Sequence, residues 1–281
     1  MKLLSLMGIL AMQLVSAQYT RFVYQVATTP DSTNAESRKT ELAYLDTDGK
    51  QSGFYAENTV RRDSLMERMR ATRTFDPSQM ESLRSNINYT VKKDLADQKV
   101  TFSNRIGRDN YTYEETSPME WKILPETVKI GEYKTQKAET IYGGRTWYAW
   151  FTMELPYQDG PYKFCGLPGL IVKVQDEKGD YSFDLIQVKK LAELPSVDQR
   201  RFGQDIKITR DKYRTVLAKF QKDPEGYMNA ERQTMGRGPG GGGPGGRPPG
   251  GGGGPDQSRM KEMRDRMLKE IKSNNNPIEL K

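Results

Sequence analysis

Phe151 to Asp176 reads FTMELPYQDGPYKFCGLPGLIVKVQD, and the reading of this stretch decides the fold. Leu155 is driven into extended backbone by Pro156. Asp159-Gly160-Pro161 marks a turn. In Gly166-Leu167-Pro168-Gly169-Leu170-Ile171, proline presets φ and the next glycine can supply a positive φ. Leu167 to Leu170 is therefore expected as a type II turn. Leu170, Ile171, Val172 and Val174 follow as a strand, and Asp176 to Asp180 as a polar hairpin turn. Tyr181, Phe183 and Leu185 alternate with polar residues, the pattern of a half-buried strand. The centre is predicted to be two antiparallel strands entered through a rigid corner.

Outward from this centre, strand patterns recur at 20–28, 39–45, 52–55, 88–93, 99–105, 110–115, 120–124, 133–142 and 145–153. In the last of these, Trp147, Ala149, Phe151 and Met153 share one face, and Tyr148 and Trp150 take the other. One face must cover a core; the other covers a helix or an apolar ligand. Helices are expected from Ser64 to about Thr72 behind an Asp63 cap, and from Asp76-Pro77 to about Ser85. Leu65, Met66, Met69, Met80 and Leu83 are their apolar positions. Two amphipathic helices follow at 209–220 and 258–273, and Pro277 to Leu280 reads as a last edge strand. The predicted class is α+β, mainly antiparallel β: a curled sheet or half-open barrel with a few amphipathic helices.

Several of these segments carry a resemblance. Gly166 to Ile171 spells GLPGLI. Upstream stand Ile130-Gly131-Glu132-Tyr133-Lys134 with Gln136-Lys137-Ala138, then Gly144-Arg145 with Ala149-Trp150-Phe151. Gly160-Pro161 and Lys163-Phe164 precede the motif, and Asn275-Asn276-Pro277-Ile278-Glu279-Leu280 closes the chain. With Ser52, Phe54-Tyr55 and Asp63-Ser64, this set resembles the exported GLPGLI family of the Bacteroidota over nearly the whole mature chain. The resemblance implies a family but no settled activity. Some relatives carry cysteine where this chain has Thr135, so a disulfide from that position to Cys165 is not available here.

Lys2, the apolar run Leu3 to Leu14 and Val15-Ser16-Ala17 read as a signal peptide over residues 1–17, cleaved before Gln18. The mature domain, 18–281, is then expected to be exported and soluble, in the periplasm or outside the cell, and not membrane-spanning. Residues 236–255 hold 13 Gly, 5 Pro and 2 Arg and read as a flexible insertion. A family-like ending follows, so the final helix is expected to dock back on the main domain. The net charge of +7 is spread without a basic run, which argues against nucleic acid as a partner.

The 281 residues include no histidine and one cysteine. Ser-His-Asp and Cys-His catalysis are excluded, and the commonest zinc ligand is missing. No cofactor and no catalytic set is predicted. Cys165 lies between Phe164 and Gly166 and reads as a buried, inert thiol. Glu114 and Glu115 point to opposite faces of a strand, while Asp159 and Asp176 flank the central motif and are read as turn caps. Binding is favoured, with Trp147, Trp150, Tyr157, Tyr162, Phe164 and Leu167 as ligand contacts. Gly166, Leu167, Pro168, Gly169, Leu170 and Ile171 equally serve as a fold-defining corner. The expected partner is an apolar small molecule or lipid, or an outer-membrane or envelope protein such as a transport system; a carboxylate-based hydrolase ranks last.

Overall fold

The structure, a computed structural model, describes residues 19–74, 76–115, 118–194, 205–235 and 257–280. The expected signal peptide at 1–17 and the Gly/Pro-rich insertion at 236–255 lie outside the described residues. The strands are β1 (Tyr19–Thr28), β2 (Lys39–Thr47), β3 (Gln51–Ala56), β4 (Tyr89–Asp94), β5 (Lys99–Ile106) and β6 (Asp109–Glu114). They continue with β7 (Lys122–Ile130), β8 (Tyr133–Tyr142), β9 (Arg145–Thr152), β10 (Leu170–Asp176), β11 (Tyr181–Leu191) and β12 (Asp205–Lys207). The helices are α1 (Glu57–Thr72), α2 (Pro77–Ser82), α3 (Arg210–Lys222), α4 (Pro224–Met235) and α5 (Gln257–Ser273).

All twelve strands lie in one sheet, ordered β12-β6-β5-β4-β3-β2-β1-β11-β10-β9-β8-β7. The pairings are antiparallel except β12 against β6. Short turns enforce this order. At the β2–β3 hairpin, Asp48 accepts from the amides of Lys50 and Gln51 at 2.8 and 2.7 Å. Asp46, at the end of β2, holds Arg21 through two contacts of 2.7 Å.

The sheet is open and is not a barrel. The half-open barrel expected from the strand pattern is therefore corrected, and the reason lies on the inner face. Strand alternation directs Phe22, Leu45, Phe54, Val91, Phe102, Trp147, Phe151 and Phe183 inward, where each is buried. The segment between β9 and β10 (153–169) packs on them and supplies Tyr162, Phe164 and Leu167 to the same core. Phe164 lies 4.7 Å from the Trp147 ring and 6.2 Å from Phe183, ring centre to ring centre. A segment of the chain fills the face that barrel closure would otherwise cover.

Other differences are local. α1 starts at Glu57 with Ala56 as its cap residue, seven residues before the expected start. Strand β3 runs directly into it, because Ala56 is fully buried and tertiary packing outweighs the Asp63 capping signal. α2 does use Asp76, which accepts from the Ser78 amide at 2.9 Å, with Pro77 in the first turn. Leu65, Met69 and Leu83 form a second small core flanked by Met66 and Met80. Pro277 to Leu280 forms no strand and docks mainly through side chains. Helix α4 and strand β12 have no counterpart in the sequence reading. Among the described residues no helix is long and apolar enough to cross a membrane.

Candidate functional site

The Gly166–Ile171 corner is built differently from a type II turn. Gly166 carries the positive φ, at +91°, whereas Gly169 does not. The Gly169 amide donates back to the Leu167 carbonyl at 2.7 Å, the two-residue closure of a γ-type turn around Pro168. Gly169 is required by close approach: a Cβ there would lie 2.1 Å from the Thr152 carbonyl oxygen. Gly160 is equally tight, since its Cβ would meet the Ile171 side chain at 2.8 Å and the Phe164 carbonyl at 2.9 Å. The Leu170 and Ile171 amides then bond to the carbonyls of Leu155 and Asp159, at 3.1 and 2.9 Å. The corner is a sealed structural joint.

The same segment carries two charges into the core. Asp159 pairs with Lys93 at 2.6 Å, and both side chains are 0% exposed. Lys93 also donates to the Gly160 carbonyl at 2.5 Å, and Asp159 accepts from the Gly160 amide at 2.7 Å. Four residues on, Lys163 is 1% exposed. Its ammonium donates to Glu115 and Glu279 at 2.5 Å each and to the Tyr113 hydroxyl at 2.7 Å. It also lies 4.6 Å from the Phe102 ring centre, a favourable place for a desolvated cation. Arg210 from α3 reaches Glu279 at 2.6 Å and Glu115 at 3.4 Å. Tyr162 and Tyr142 donate to Glu279 at 2.5 and 3.1 Å. Tyr162 holds a left-handed backbone, φ +53°, a cost that this packing must override.

Burial pushes the Glu279 carboxyl up, but the charge of Lys163, hydrogen bonds from Lys163 and Tyr162, and Arg210 outweigh it and hold it at about 2. A carboxyl whose folded value lies below its unfolded one stabilises the fold above the unfolded value. That stability is lost as pH falls through the folded one. Glu279→Gln is therefore expected to remove a pH-dependent contribution of about 3 kcal/mol, flattening the acid-unfolding curve between about pH 4.5 and 2. Urea denaturation at stepped pH measures it.

The outer face differs in character. Register places Lys137 beside Trp150, Trp150 beside Lys173, and Lys173 beside Asp184. Side chains at paired positions share a face, so these four form a row across β8, β9, β10 and β11. The next row is Glu139, Tyr148, Gln175 and Ser182. Lys173 bonds to Asp184 at 2.5 Å. The Lys137 ammonium sits 4.6 Å from the Tyr148 ring centre and 6.0 Å from that of Trp150. With Glu126, Val128, Lys129 and Ile130 from β7, this row lines an open groove of about 610 Å³.

The six residues expected to contact a ligand are thus divided. Trp147, Tyr162, Phe164 and Leu167 are at most 1% exposed and belong to the core. Tyr157 is half-buried at the core margin, its ring 5.1 Å from Phe22 and its hydroxyl 3.0 Å from that of Thr20. Trp150 alone of the six lines the outer groove. Asp159 and Asp176 do not pair: the first holds Lys93, and the second holds Arg145 at 2.8 Å. Glu114 and Glu115 do diverge, Glu114 to exposed Lys99 and Glu115 to Lys163. The buried cations were legible only in part. Lys93 has the strand parity of Val91, which marks it as inward-facing, and Lys163 sits in the apolar run between Tyr162 and Phe164. Cys165 is half-buried and not fully buried as expected, and desolvation pushes its thiol up.

A family profile described as "Protein of unknown function (Porph_ging)" matches residues 139–173, which include β9 and the corner. No curated protein matches the chain in sequence. Two crystal forms of a protein described as PNGF-II share the fold, each with a TM-score of 0.51, at 17% and 16% identity. The likeness covers 73% of this chain and 34% of theirs. The chain thus spans about a third of the length of those proteins.

Proposed function

We propose that this is a non-enzymatic, exported binding protein of the cell envelope, whose ligand lies in the outer groove over Trp150. One observation carries the reading: a half-buried tryptophan stands in a cross-strand row with lysines on both sides and lines an open groove. Val128, Ile130 and Trp150 offer apolar contact, and Lys129, Lys137 and Lys173 outnumber Glu126 and Asp184 in the lining. That combination fits a small amphiphile with an anionic end, such as a fatty acid or a lysolipid. The inner face supports binding less well, because Trp147, Phe164 and Leu167 fill it. The buried carboxylates support catalysis less well, because Lys93, Lys163, Arg145 and Arg210 neutralise them away from solvent.

Dodecanoate titrated against the mature protein, followed by calorimetry, tests this. Trp150→Ala is expected to weaken binding roughly tenfold or more, as loss of about 1.4 kcal/mol does, in a protein that stays folded at the assay temperature although Trp150 also packs on the core margin. Equal affinity in Trp150→Ala and wild type would place the ligand elsewhere.

A further inference from the structure

The C-terminal segment is seated as a bound peptide would be. Residues 274–280 have no regular secondary structure, yet consecutive residues are read by side chains of the core. Arg145 donates to the Asn276 side-chain oxygen at 2.5 Å and to the Pro277 carbonyl at 2.8 Å. The Tyr181 hydroxyl donates to the Asn276 carbonyl at 2.5 Å. Two residues on, Glu279 receives Lys163, Arg210 and Tyr162. The Leu280 amide then donates to the Gly143 carbonyl at 2.6 Å. A Cβ at Gly143 would stand 2.9 to 3.1 Å from Glu279 atoms, so glycine leaves room for the segment.

The receiving side is held by partners of its own. Asp176 and Asp180 fix Arg145, and Tyr113 and Glu115 fix Lys163. Without the segment, Lys163 and Arg210, with Arg214 also 4.0 Å from the Glu279 position, would be left with the carboxylate of Glu115 as the one ion-pair partner shared by Lys163 and Arg210 among the described residues. The cleft is then an anion site that demands one more buried carboxylate, with Arg145 placed to read a carboxamide and a carbonyl upstream.

We propose that this cleft is a peptide-recognition site for an extended Asn-Pro-x-Glu segment, occupied in cis by this chain's own residues 276–280 and open to a partner peptide of the same chemistry. The cis segment competes at high effective concentration, so a partner must displace it. The test uses full-length Glu279→Ala and Asn276→Ala and a synthetic peptide of residues 274–281. Each variant is expected to melt below wild type and to recover by several degrees with saturating peptide. A peptide with Gln in place of the Glu279 equivalent should give no recovery. By fluorescence anisotropy the labelled peptide should bind the variants at least tenfold tighter than wild type. If Glu279→Ala does not fold alone, its refolding on adding peptide reads the same property. Asn276→Ala, which keeps the carboxylate, provides a folded comparison. Folded variants that ignore the peptide, or recovery with the Gln peptide as large as with the Glu peptide, would overturn the proposal.

Discussion

Asp159→Ala is expected to be among the most destabilising single changes in this chain, at about 3–5 kcal/mol, the usual cost of breaking a buried pair by removing one partner. Lys93 and Asp159 are both fully buried and 2.6 Å apart. Removing the carboxylate leaves the ammonium in the core with the Gly160 carbonyl as its remaining hydrogen-bond acceptor among the described residues. At about 2–4 °C per kcal/mol for a chain of this size, the melting temperature should fall by roughly 10 °C. Replacing both partners by apolar residues of similar volume, Lys93→Met with Asp159→Leu, should recover more than half of the loss, because no charge is then stranded. Urea denaturation of the three proteins decides it. A loss under about 1 kcal/mol for Asp159→Ala would mean that water or rearrangement reaches the pair.

The second large effect is expected at Gly169. Alanine there brings Cβ to 2.1 Å from the Thr152 oxygen and 2.7 Å from its carbonyl carbon, so the backbone of β9 or of the corner must move. The cost should be about 3 kcal/mol or more, at the upper end of overpacking. Gly166→Ala is the matched control. Its Cβ meets nothing within 4 Å, but φ is +91°, so only the left-handed backbone cost of about 1–2 kcal/mol applies. The two glycines are three residues apart and required for different reasons. Thermal denaturation that ranks Gly166→Ala as the more damaging would contradict this account.

Much of the sheet was legible because strand alternation and turn chemistry are local. Tyr133 to Tyr142 begins and ends where its pattern does, and Trp147, Ala149 and Phe151 face inward as their parity requires. The corner was legible as a rigid element, but its geometry was not. Which of Gly166 and Gly169 bears a positive φ depends on how closely β9 approaches, and that distance is set by tertiary packing. The open form of the sheet escaped the sequence for a related reason: alternation shows that a face is apolar and leaves open what covers it. That cover proved to be the 153–169 segment. The ionic centre was the least legible part. Glu115, Lys163, Arg210 and Glu279 come from four separated places, and isolated charges in a chain with 81 charged residues (44 Lys+Arg and 37 Asp+Glu) carry no signal of being buried. Of the expected ligand contacts, Trp150 was placed on the outer face by parity alone, and the structure keeps it there.

The central claim is that binding occurs on the outer groove and not inside the sheet. Native mass spectrometry of wild type and Trp150→Ala, each purified from the cell envelope, tests it most directly. The account predicts an added mass of a small anionic amphiphile on wild type and its absence from Trp150→Ala. Bare wild-type protein, or the same added mass on both, would contradict it.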